Sequence, residues 1–412
     1  MNKTITIPNK ESHTPAHPIV FLFLALPFGV ISGYVSVTLA FLLAKAGISV
    51  EAIAALVGAS ILPQVLKFLW APLVDTFFTL KKWYILSSII TAAGILALGI
   101  LPFKESSLPL LTIIVIIGSV ASSFLGIATN GLAAYDTPDE LRGRMSGYLN
   151  AGNLGGAGLG GGVGLFLAEH LNYTWMPAAI LALACVLCCF GLFFVKEHPS
   201  TVRDTKIFKT IENLLKDLWN TLKARLGVLA MALCFLPLGT GAAQNLWAAV
   251  SGSWHASADT VAFVTGTMSG VISAIGCLLG GWICDRSDRR IAYVVFGVLQ
   301  AICAVAMAYC PHTQIMYIGW TSLYALLLGA SYTAFSAFVF ETIGQGAAGT
   351  KYTVYASLSN APIYYMTIIE GWAYTHHGPR GMLDTEAAFA VLAIILFFAL
   401  LQYVNRGKAK SA

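Results

Sequence analysis

The 412-residue chain is 57% hydrophobic and 10% charged, with a mean hydropathy of +0.76. Soluble globular proteins carry about 25% charged residues, so this balance excludes a water-soluble domain and indicates a chain that lives in lipid. The formal net charge of +5 follows the sidedness of the basic residues and gives no reason to expect a nucleic-acid partner.

Residues 1–17 are polar and lack the basic-then-apolar pattern of a cleavable signal, so they are expected to stay as a tail before the first span. Apolar blocks then predict twelve helical spans, at 18–44, 51–74, 83–103, 107–135, 144–168, 173–195, 227–250, 258–284, 290–310, 313–341, 351–376 and 383–404. Each block approaches the roughly 20 residues that cross a bilayer as helix. Blocks of that length suit helices better than the short alternating strands of a barrel. The expected plan is all-α: one six-helix bundle over 18–195, a linker over 196–226, a second bundle over 227–404 and a tail over 405–412.

Glycine crowds the fifth span from Gly152 to Gly164 and recurs in the eighth at Gly266, Gly270, Gly276, Gly280 and Gly281. Small residues let helix backbones approach closely in lipid, whereas a phosphate cradle needs a loop before a helix. The sixth span holds Cys185, Cys188 and Cys189 without nearby His or acidic ligands. They read as packing residues, and neither a metal site nor a disulfide framework is expected. In the linker, Ile207, Phe208, Ile211, Leu214, Leu215, Leu218 and Leu222 alternate with lysines. That spacing predicts an amphipathic helix lying on the membrane surface.

An even number of spans puts both termini on one side. With the termini inside, 20 of the 24 Lys and Arg residues fall on inner segments, while Lys45, Lys104 and Arg380 fall outside and Lys67 lies within a span. This bias is the positive-inside pattern. It predicts cytoplasmic termini in a multi-pass plasma-membrane protein.

The chain also repeats itself. Leu26-Pro27-Phe28-Gly29 returns as Leu236-Pro237-Leu238-Gly239, and Ser49-x-Glu51 returns as Ser257-x-Asp259. Ala71-x-x-x-Asp75 returns as Gly281-x-x-x-Asp285, and Arg144, Ser146, Tyr148 and Asn153 align with Lys351, Thr353, Tyr355 and Asn360. Two similar membrane bundles in one polypeptide are how many secondary transporters build a site that opens alternately to each side.

Gly281-Trp-Ile-Cys-Asp285-Arg286-Ser-Asp-Arg289-Arg290 resembles the loop signature of the major facilitator superfamily, placed between the eighth and ninth spans where a second copy belongs. Ala71-Pro72-Leu73-Val74-Asp75 with Lys81-Lys82 is similar to the first copy. Leu66-Lys67-Phe68-Leu69-Trp70-Ala71-Pro72, with Gly126-Ile-Ala-Thr-Asn130 and Glu140-Leu-Arg142-Gly-Arg144, resembles the peptide/acetyl-coenzyme-A transporter family. That family includes muropeptide permeases and acetyl-CoA carriers, and related permeases take up siderophores. Relatives often carry an acidic residue where this chain has Asn130.

By that resemblance, the loop aspartates contact helix starts in the opposite half when the inner side is closed. Asp75 is expected to face Lys351, and Asp285 to face Arg142 and Arg144. A carboxylate at a helix N-terminus gains about 0.3–1 kcal/mol, enough to bias a gate and little enough to break each cycle. Asp136 and Glu341 occupy matching inner ends of spans four and ten. With Arg286, Arg289 and Arg290 they complete the expected gate.

The repeat isolates two buried-looking charges: Lys67 pairs with Cys277, and Glu370 pairs with Val163. A charge at mid-membrane costs about 2.5–3.5 kcal/mol on insertion scales, which suggests an aqueous path or a partner. Lys67 is expected to attract an anionic solute or neutralise a carboxylate; snorkelling to the headgroups is the other reading. Glu370 is read as a proton-coupling carboxylate or as an interface residue near His376 and His377. Candidate cavity lining comes from Tyr34, Asn130, Gln244, Asn245, Trp247 and Tyr332, with Asn360 and Tyr364 from flanking spans.

The expectation is a secondary active transporter, driven by protons and working as a monomer without cofactor. Its cargo is expected to be an organic, anionic solute such as a muropeptide, an acyl-CoA-like molecule or a siderophore. No H-E-x-x-H cluster or other catalytic constellation supports an enzyme. A non-transporting solute sensor on a transporter scaffold is the alternative.

Overall fold

A computed structural model describes residues 16–17, 19–136, 142–196, 231–284, 286–343 and 354–409, with backbone alone at 72, 75–76, 134–136, 142–147, 337, 339–343 and 403–409. Among the described residues there is no strand, and nine helices are long and apolar enough to cross a membrane. The expected amphipathic linker helix lies outside the described residues.

The repeated sequence motifs are helix starts. Ser49 caps α2 (Val50–Thr76), its hydroxyl accepting from Ala52 N–H with Glu51 in the first turn. Ser257 does the same for α8 (Ala258–Cys284), accepting from Thr260 N–H with Asp259 in the first turn. Thr79 caps α3 (Leu80–Ile100) and Asp288 caps α9 (Arg289–Tyr309). A side-chain oxygen satisfies an otherwise orphaned N–H, and an acid there meets the positive end of the helix dipole. The Thr79 cap places the start of α3 three residues before the predicted 83.

The remaining spans are α1 (Ile19–Lys45), α4 (Leu108–Asp136), α5 (142–170), α6 (Trp175–Phe193) and α10 (Gln314–Ile343). After them α11 (354–377) and α12 (379–409) run through a kink at Gly378, where φ is 68° and ψ −166°. Pro379 follows that glycine. It has no N–H and fits the first turn of a new helix.

Span seven departs from the continuous helix predicted over 227–250. It is helical at 231–235, opens at Leu236–Gly241, and resumes as short turns over 242–254, together α7. Pro237 lacks an N–H, and Gly239 (φ 62°) and Gly241 (φ 70°) adopt left-handed backbone that only glycine takes without strain. The matching Pro27 in α1 stays inside a helix. The duplication is therefore broken at this point.

Within each half, glycine sets the closest helix pairs. Gly152, Gly156 and Gly160 of α5 lie against the carbonyls of Leu22, Leu26 and Val30 of α1. Gly276 and Gly280 of α8 lie against Leu326 and Ala330 of α10. A side chain at these positions would collide with backbone, which accounts for the glycine runs read from the sequence. Tyrosines tie the halves together internally in matching ways. Tyr84 of α3 donates to Leu24 O (3.0 Å), and Tyr293 of α9 donates to Leu238 O (2.6 Å) in the break of α7.

Candidate functional site

The two halves approach each other at the ends of their spans remote from the chain termini. There Gly266 of α8 meets Gly162 of α5, and Gly371 of α11 meets Ala54 of α2. Glu51 N–H donates to Thr375 Oγ1 across the same seam (3.1 Å). Val37, Val50, Ala54 and Leu165 of the first half share an apolar cluster with Trp247, Val250 and Trp254 of the second. The seam coincides with π-helical turns in α1 (Tyr34–Leu39), α5 (Leu159–Val163) and α8 (Ala262–Met268). Such turns widen a helix and commonly mark functional positions. Thr38 supports one of them, donating to the carbonyls of Gly160 (2.8 Å) and Gly161 (3.0 Å).

Nearer the terminal side, Lys67 is half-buried on α2 and makes no hydrogen bond or ion pair among the described residues. It precedes Trp70 by three residues and so shares the strip of α2 that faces α4. On that strip the Trp70 indole N–H donates to Ser123 Oγ (2.9 Å), and its ring stacks on Phe124 at 6.0 Å. Asn130 lies two turns beyond Ser123 on α4 and is exposed. Lys67 and Asn130 thus lie on the α2 and α4 faces that share the Trp70–Ser123 contact, Lys67 one turn before it and Asn130 two turns beyond it.

The other candidates divide. Tyr332 is exposed, and it borders a small recess with Thr240, Tyr293, Ser331 and Ser359, about 30 Å³ in volume. That is room for one or two waters. Tyr364 is half-buried beside Gly58. Asn360 donates to the carbonyls of Ala356 and Ser357, and Asn245 donates to Thr367 Oγ1 (3.2 Å). Gln244 keeps a buried carbonyl oxygen without a partner. Tyr34 and Trp247 are 1% exposed and packed in core. Trp247 accepts the Tyr317 hydroxyl on its carbonyl at 2.9 Å.

Glu370 is fully buried, and both its carboxylate oxygens lack hydrogen-bond partners among the described residues. Its electrostatic neighbour is Glu386 of α12, a residue the sequence reading missed. Glu386 is also buried; one oxygen accepts from the Tyr324 hydroxyl of α10 and the other has no partner. The one local signal for it is its distance from Pro379, where the structure starts α12. Seven residues at about 1.5 Å each carry Glu386 about 10 Å into the helix, too deep for an acid of an outer turn. His376 and His377, by contrast, lie on the exposed side with Trp372.

The expected gate falls largely outside what is described. Asp285 and Lys351 are not among the described residues, and Asp75, Asp136, Arg142, Arg144 and Glu341 are described by backbone alone. Arg286 folds back to donate to Trp282 O (3.1 Å) and sits over its ring, while Arg290 lies 5.7 Å from the Phe338 ring centre. Arg289 follows the Asp288 cap in the first turn of α9.

The family model described as Major Facilitator Superfamily matches residues 21–366. The anhydromuropeptide permease of Escherichia coli (strain K12) is 24% identical over 356 residues, covering 82% of this chain and 70% of the permease. Among solved structures, a bacterial homologue of the human lysosomal transporter Spinster, inward-facing and unoccupied, has a TM-score of 0.73 at 15% identity. That match covers 94% of this chain and 97% of the homologue. A D-xylose–proton symporter has a TM-score of 0.70 at 16% identity over 92% of this chain and 96% of the symporter. At these identities the structural likeness establishes the fold.

Proposed function

The chain belongs to the major facilitator superfamily, and from that premise we propose that it is a proton-coupled carrier of an anionic organic solute, with anhydromuropeptides as the first cargo to test. It is a secondary transporter of the membrane, not an enzyme. The observation that carries the reading is the one-ended seam. The halves pack together away from the termini, and polar residues with Lys67, which has no ion-pair partner among the described residues, lie nearer the terminal side. With the termini cytoplasmic, as the basic residues indicate, this is the state open to the inside.

Lys67 supports an anionic cargo. Its ammonium has no carboxylate of its own among the described residues, and an ion in a partly desolvated site gains most from an opposite charge brought by the solute. The peptide of an anhydromuropeptide carries carboxylates, and its sugars suit amide and tyrosine partners such as Asn130, Tyr332 and Tyr364. The likeness to the permease supports that class. Buried Glu370 supports proton drive, because a carboxylate with neither a cation nor a hydrogen-bond donor stays in an apolar interior only when neutralised.

The test is uptake of radiolabelled anhydromuropeptide into proteoliposomes under an imposed pH gradient. Accumulation above equilibrium that collapses with a protonophore is expected. Uptake that ignores the gradient defeats the proton reading, and absence of uptake or exchange defeats this cargo.

A further inference from the structure

Resting on the proton coupling proposed above, we infer that the coupling proton is held by a carboxylate pair, Glu370 and Glu386, with Tyr324 as its hydroxyl partner. Glu370 is fully enclosed and Glu386 is 6% exposed. Three of their four oxygens have no hydrogen-bond partner among the described residues: both of Glu370 and Oε2 of Glu386. The fourth, Glu386 Oε1, accepts from the Tyr324 hydroxyl.

Three further groups surround the pair. Cys303 of α9 lies near Glu386. Gln300, also of α9, is 2% exposed, has both amide atoms unpartnered and lies beside Tyr324. Trp247 of α7 meets the Tyr324 ring edge-on at 5.3 Å. Among the described residues, no Lys, Arg or His pairs with either carboxylate. Arg380 and Asp384 are engaged elsewhere, the one over the Tyr309 ring and the other accepting from the Tyr309 hydroxyl.

Two ionised carboxylates cannot share an apolar interior without a cation, because desolvation and mutual repulsion both oppose the charged forms. One proton resolves the arrangement. It removes one charge and turns one acceptor oxygen into a donor. Tyr324 then holds the remaining charge, and Gln300 supplies a further amide dipole.

The location couples this site to the transport cycle. Glu370 precedes Gly371, which packs on Ala54 across the closed seam. Opening that seam lets water reach the pair and the proton leave or enter from the far side. Closing it requires the pair to be protonated.

The experiment needs no cargo. Infrared difference spectroscopy on the purified protein in sodium-free lipid nanodiscs, stepped from acid to alkaline pH, reads the carbonyl stretch of protonated carboxyls. The wild type is expected to keep such a band at neutral pH, where exposed carboxylates are ionised, and to lose it on alkalinisation. E370Q and E386Q should each lose or shift it, and Tyr324→Phe, which keeps both carboxyls, should move the pH at which it disappears.

A wild type without the band, or a band unchanged in both glutamine variants, overturns the assignment. So does a band abolished by sodium at constant pH, or a Tyr324→Phe protein whose titration is unmoved. If the wild type accumulates anhydromuropeptide under a pH gradient and E386Q does so equally, the pair is refuted while proton coupling stands. If the wild type ignores the gradient, coupling itself fails.

Discussion

Replacing Gly162 with valine tests the seam between the halves directly. A Cβ at Gly162 would lie 2.6 Å from Thr267 Oγ1 and 2.7 Å from Ala262 O, both on α8 of the opposite half. Overpacking of this kind costs about 1–3 kcal/mol, and here the cost falls on the closed seam rather than on either bundle. A bias of that size shifts a two-state equilibrium by about 5–150-fold towards the state open on the far side. Gly94→Ala is the control, because its Cβ would meet its nearest neighbour, Gly118 Cα, at an ordinary 3.6 Å within one bundle. The assay is pulsed electron–electron distance measurement between spin labels at Ala46 and Asp259, exposed at the far end of each half. Gly162→Val should populate a longer distance that Gly94→Ala does not. An unchanged distribution, with both proteins folded, refutes the claim that this contact closes the seam.

Lys67→Ala should raise the half-saturating concentration of an anionic cargo about tenfold, the equivalent of about 1.4 kcal/mol, with Lys67→Arg close to wild type; equal saturation curves would remove Lys67 from the path. Tyr293→Phe should lower stability by about 1–3 kcal/mol, because it strips the partner from a carbonyl in the break of α7. Tyr84→Phe, whose acceptor Leu24 lies within a helix, should cost less, and thermal unfolding that reversed this order would contradict the argument. Gly241→Ala should also destabilise, by about 1–2 kcal/mol from its left-handed backbone alone, with a further clash against the Leu328 side chain. A melting temperature equal to wild type would show that the break can be remade.

The sequence made the bundle plan legible because the bilayer imposes a length on every span, and the caps at Ser49 and Ser257 mark helix starts through chemistry local to a few residues. The break in α7 was harder. Leu-Pro-x-Gly occurs in both halves, yet only the second copy is followed by Thr240-Gly241, and that second glycine takes the extra left-handed turn. Lys67 and Glu370 stood out through the asymmetry of the repeat, which is itself a local comparison. Glu386 did not, because it sits near the start of a span, where an acid reads as facing the headgroups. Its burial depends on α9 and α10 closing over it, and no window of sequence contains that contact. Tyr34 and Trp247 were drawn to the cavity by their polarity, but in aromatic residues of this size the apolar ring decides the packing.

The interrupted span has a mechanical corollary. Continuous α1 transmits bending along its whole length, whereas the tip of α7 that bears Trp247 and Trp254 joins the rest of its span through the left-handed backbone of Gly239 and Gly241. That tip touches the ends of α1 and α2. Closure of the far side thus rests in part on a segment whose helix is not continuous with the rest of its own span.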